Sequence, residues 1–73
     1  MEEKIYIQLL NEGTKVHKPV PAIKVEKNIY EIKGHDIYDV HDEDWEFTPG
    51  THVIVEKQMI DGDLVLVAIR KIL

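Results

Sequence analysis

Between Gly34 and Asp44 the chain reads GHDIYDVHDED, and seven of these eleven residues (His35, Asp36, Asp39, His41, Asp42, Glu43 and Asp44) could ligate a metal ion. Carboxylate oxygens at that density suit Ca²⁺ or Mg²⁺, and a pair of imidazoles suits Zn²⁺ or Ni²⁺. The spacing matches no calcium loop, however. Such loops set carboxylates at alternate positions around a central Gly, and no Gly lies inside this run. A solvated acidic loop that keeps a sheet edge from self-pairing is the simpler expectation. Neither a metal nor a cofactor is expected here, and Ile37, Tyr38 and Val40 are expected to anchor the loop.

Catalysis has little to build on. General acid–base chemistry needs a titratable pair held in a water-poor cleft, which a domain of this size rarely encloses. Cys is absent, and the four glycines stand singly at 13, 34, 50 and 62, so no phosphate-cradling loop is present. Each glycine reads better as a turn residue. His17 and His52 are expected at the surface or rim. The chain is therefore expected not to be an enzyme.

Binding is the leading class. Tyr38, Trp45 and Tyr30, set beside Asp42, Glu43 and Asp44, would make an aromatic and acidic surface for a protein partner of basic character. Simple packing is the commoner fate of any one of these rings. A second possibility is a nucleic-acid-associated domain contacting phosphates through Lys15, Lys18, Lys24, Lys27 and Lys33. Against it stand a net charge of −5 and a near absence of Arg, since polyanion affinity rests on cationic neutralisation. A third is an acidic inhibitor or antitoxin-like protein whose carboxylates occupy a basic site.

The elements that must carry these residues are strands. Seventy-three residues make a single domain, 1–73, with a core near the lower limit of viability. KIYIQLL at 4–10 alternates, with Ile5, Ile7 and Leu9 on the apolar side. Asn11 to Thr14 ends that strand. Pro19 and Pro21 predict an edge or irregular strand that becomes regular near Ala22. Lys27-Asn28 then predicts a hairpin with Val25 opposite Tyr30, Ile23 opposite Ile32 and Lys24 opposite Glu31.

Residues 45–69 hold the organising hairpin. Trp45 and Phe47 would point to the same side, Phe47 packed in the core or at its rim and Trp45 either packed or partly exposed, and Thr48-Pro49-Gly50 turns the chain into Val53-Ile54-Val55. Asp61-Gly62 marks the connection to Leu64–Ile69. Two registers compete there. A two-residue loop sets Val55 opposite Ala68. A three-residue loop sets Val55 opposite Val67 and gathers Val53, Val55, Val65, Val67 and Ile69 on one face, and that grouping is the preferred expectation. It leaves Tyr6, Leu10, Ile54, Ile60 and Leu66 outward, which would suit a homodimer.

Five strands without a helix predict an all-β fold, a small five-stranded antiparallel barrel or strongly bent sheet. Tyr38-Asp39-Val40, the acidic His41 to Asp44, Trp45-Glu46-Phe47, Pro49-Gly50 and Val53 to Lys57 resemble the opening of an SH3 domain. The resemblance implies an SH3-like barrel. It does not extend to gripping proline-rich ligands: Val40 stands where the second motif aromatic belongs, no Trp lies at 60–65, and no Pro-x-x-Tyr element follows the hairpin. LLNEGTKVHKPVPA followed by WEFTPGTHV also resembles a group of small bacterial proteins of unknown function, and that resemblance brings no activity with it. The acidic start of the chain offers neither a signal peptide nor a membrane helix, and a soluble cytoplasmic protein that avoids membranes is the expectation.

Overall fold

The structure is a computed structural model that describes residues 2–72. It is all-β: β1 (Glu2–Leu10), β2 (Val16–Glu26), β3 (Ile29–Ile32), β4 (Asp44–Trp45), β5 (His52–Ile60) and β6 (Asp63–Lys71). Among the described residues no helix is long and apolar enough to cross a membrane. The strands form one bent sheet in the order β2-β3-β5-β6-β1-β4, and β2 also pairs with β1, so five of them close into a ring.

The expectation of an antiparallel sheet holds along the ladders and fails at the closing seam, where β6 meets β1 in parallel at Tyr6↔Val67. Parity is the reason. Each of the strands β1, β2, β3, β5 and β6 reverses on the one before it, and an odd number of reversing strands leaves the first and last pointing the same way. The sixth strand, β4, lies in a stretch that composition alone marked as loop and turn. It adds to β1 at Leu9↔Trp45 and Leu10↔Asp44.

The alternation in β1 predicts its inner face correctly: Ile5, Ile7 and Leu9 are buried with Val20, Ala22, Tyr30, Ile32, Trp45, Phe47, Val53, Val55 and Ala68 in one cluster. Burying these aliphatic and aromatic groups is what offsets the entropy of ordering so short a chain.

β2 is regular earlier than its prolines suggest. It pairs with β1 all the way from Leu9↔Val16 to Glu2↔Ile23. The Pro21 carbonyl points the other way and accepts a hydrogen bond from the Lys33 N–H at 2.9 Å. In a strand a residue's N and O share a side, so the missing N–H groups of Pro19 and Pro21 fall on the edge away from β1. No β1 ladder bond is lost.

Both hairpin registers differ from expectation, and both through bulges. The β2–β3 ladder runs Ala22↔Ile32, Ile23↔Glu31, Lys24↔Tyr30 and then Glu26↔Ile29, which makes Val25 the extra residue. Positive φ occurs at Asn28 and not at Lys27. A turn lacking two positive φ values does not match strand twist, and the bulge absorbs the mismatch. Lys24 therefore does not face Glu31, which meets Lys33 at 3.1 Å instead.

At β5–β6 the two-residue loop wins, with Ile60↔Asp63 closing the turn and Val55 opposite Ala68. Asp61 and Gly62 both take positive φ, 50° and 87°, the combination that a tight mirror-type turn demands. Turn geometry thus overrides the grouping of β-branched residues. Beyond Val55↔Ala68 the pairs become Ile54↔Arg70 and Val53↔Lys71, so Ile69 is the bulged residue. Val65 and Val67 alternate with Leu66 and Ala68; Val65 is half-buried, and Val67 is buried at 3% exposure although it lies outside the core cluster. Leu66, expected outward, packs against the core, and the exposed cross-strand pair Met59↔Leu64 ends that inner face.

Candidate functional site

The long excursion from Lys33 to Gly50 holds most of the chemistry-bearing residues, and its shape starts at Gly34. With φ at 97°, its carbonyl accepts the N–H groups of Ile37 (3.0 Å) and Tyr38 (2.9 Å). Asp39 organises the next turn. Its Oδ1 accepts the His41 N–H at 2.9 Å, and its carbonyl accepts those of Asp42 and Glu43 at 3.0 Å. Asp is suited to this local capping. The acidic stretch is therefore two consecutive turns with their own hydrogen bonds.

Trp45 pins it. The indole is 2% exposed, and Tyr38 meets it edge-on at 5.0 Å between ring centroids and 61° between planes. The Lys18 ammonium lies 5.8 Å from the ring centroid, a cation–π distance. Glu43 completes the cluster, pairing with Lys18 and accepting the Trp45 Nε1–H at 3.5 Å. The hydrogen bond from Lys18 is the main influence holding the Glu43 carboxyl below its ordinary range, with burial opposing it. Asp44 is held separately, by Asn11 Nδ2 at 3.0 Å.

This geometry corrects the expected aromatic surface. Trp45 lies in the core and not partly exposed, because β4 pairing on β1 turns its side chain inward. Tyr30 is 4% exposed; its hydroxyl donates to Glu3 at 3.3 Å, and burial first, then the Glu3 charge, raises its pKa. Tyr38 is half-buried against Trp45. The rings stabilise the fold and offer no open platform.

Of the acids, Asp42 stays exposed with Asp36 and Asp39, whereas Glu43 and Asp44 have partners within the chain. Among the described residues no three His, Cys, Asp or Glu side chains are grouped to hold a metal ion, and no polar or charged side chain is buried.

The lysines do not converge. Lys18 and Lys33 are engaged with Glu43 and Glu31, while Lys15 and Lys27 flank opposite ends of β2, with Lys24 exposed between them. Two residues expected as anchors prove to be the displayed ones: Ile37 and Val40 are 54% and 55% exposed. No residue type in the run signals this, since Trp45 follows Asp44 as Ile37 and Val40 follow Asp36 and Asp39, and Trp45 is buried.

The site is thus an acidic, aliphatic loop fixed to a small all-β ring. No protein-family model, curated protein or solved structure matches the chain.

Proposed function

We propose that the protein is a small non-catalytic binding module whose contact surface is the loop from His35 to Asp42. The observation that carries this reading is the contrast between how firmly the loop is held and what it shows to water. Gly34, Tyr38, Glu43 and Trp45 fix its ends, and Ile37 and Val40 stand exposed among Asp36, Asp39 and Asp42. Exposed aliphatic side chains gain free energy when a partner covers them, and a pre-ordered loop loses little entropy on binding. The acidic rim and the net charge of −5 favour a basic partner.

The test compares the tagged parent with a variant carrying Asp36→Asn, Val40→Ser and Asp42→Asn, none of which removes a pinning contact. Circular dichroism first establishes that both fold. Proteins captured by the parent should be missing from the variant and should elute as salt rises. Identical capture by both would refute this surface.

A further inference from the structure

The half of β2 that lacks a β3 neighbour supports a more specific surface. A groove of about 390 Å³ runs over Pro19, Val20 and Pro21, with Ile37 at one side and Glu2, Glu3 and Lys4 of β1 at the other. Its floor is apolar and rigid, because proline rings have almost no rotamer entropy to lose. Tyr6 extends this apolar surface as the cross-strand partner of Pro19. Among the described residues the walls carry Glu2, Lys4 and Glu3, which also accepts the Tyr30 hydroxyl, and Asp36 precedes Ile37 on the loop side. Nearby Lys33 and Lys18 are already paired, with Glu31 and Glu43. The local balance is acidic.

We infer that this groove, taken as part of the binding surface proposed above, receives an extended segment of a partner protein in which an aliphatic side chain stands next to Lys or Arg. The aliphatic group enters between Ile37 and the two prolines, and the cation faces Glu2, Glu3 and Asp36. Strand addition is not the mode. Pro19 and Pro21 offer no N–H on this edge, and the Pro21 carbonyl already accepts from Lys33, so recognition runs through side chains. The groove's volume suits one or two partner side chains.

A library of random decapeptides displayed on phage and selected on the immobilised folded chain tests this. Enriched peptides should pair Leu, Ile, Val or Met with Lys or Arg. Their synthetic versions should bind roughly tenfold more weakly to Ile37→Ser and to Glu2→Lys, a loss of about 1.4 kcal/mol. Enrichment of acidic or uncharged peptides would overturn the inference, as would selection of none. Basic peptides that ignore Ile37→Ser but respond to Val40→Ser and Asp42→Asn would overturn the groove and leave the loop surface standing. Peptides indifferent to all four substitutions would overturn both.

Discussion

Replacing Gly34 by Ala probes the joint on which the loop turns. Two costs arise there. A φ of 97° is a conformation that L side chains rarely adopt, and holding one there costs about 1–3 kcal/mol. The added Cβ would also lie 3.2 Å from Ile37 Cγ1 and 3.3 Å from Trp45 Cη2. Ile37 is exposed and can yield, but Trp45 is locked by Tyr38, Glu43 and the core. Overpacking of this kind adds about 1–3 kcal/mol. Gly13 supplies the control, since its φ is 77° and nothing lies within 4 Å of a Cβ there. Gly13→Ala therefore carries the backbone cost alone. For a domain of this size each kcal/mol lowers Tm by roughly 4–8 °C. Thermal unfolding followed by circular dichroism should show Gly34→Ala losing about twice as much Tm as Gly13→Ala. In a Trp45→Phe background, where Cη2 is gone, the excess should shrink by about 1 kcal/mol. Equal losses at the two glycines, or an excess unchanged by Trp45→Phe, would refute the idea that Gly34 is required by its contact with the indole.

Two predictions concern pH. The Glu43 carboxyl titrates below its ordinary range in the folded chain, so its contribution is present above the unfolded carboxylate pKa and is lost as pH falls through the folded one. The pair is about one-third exposed and screened, so Glu43→Gln should cost under about 1 kcal/mol near neutrality and flatten the acid limb of Tm against pH. A parallel acid limb in the variant would exclude Glu43 as its source. Tyr30 has the opposite sign. Its raised pKa gives stability that is complete below the unfolded phenol value and lost as pH climbs through the folded one. Phenolate absorbance should show one late-ionising tyrosine, and Tyr30→Phe should remove that component.

What was legible in the sequence follows the range of the forces involved. Strand alternation is local, and Ile5, Ile7 and Leu9 declared their face without help. Turn chemistry is local too, and Asn28 and Asp61-Gly62 lie where the chain reverses. Bulges are not local. Val25 and Ile69 are set aside because turn twist and ring closure must both be met, and no residue type announces that compromise. The burial of Trp45 was not legible because it depends on β4 reaching across to β1, a contact between residues 9 and 45. The displayed character of Ile37 and Val40 was not readable, because their hydropathy pointed inward and an Asp neighbour does not separate them from Trp45, which follows Asp44 and is buried.

The parallel seam has a mechanical consequence. With Tyr6 beside Val67 and both strands running the same way, Glu2 and Ile72 leave from opposite poles of the ring. Four residues precede the bridge and five follow it, which at about 3.3 Å per residue places these positions roughly 30 Å apart. Tension applied between them drags β1 lengthwise against β2 and β6 against β5, so the hydrogen bonds of each ladder share the load. An even-stranded ring, with both ends at one pole, would peel open one bond at a time. Odd strand number thus gives this small domain a geometry that resists being pulled straight, and copies strung head to tail would transmit force along their length.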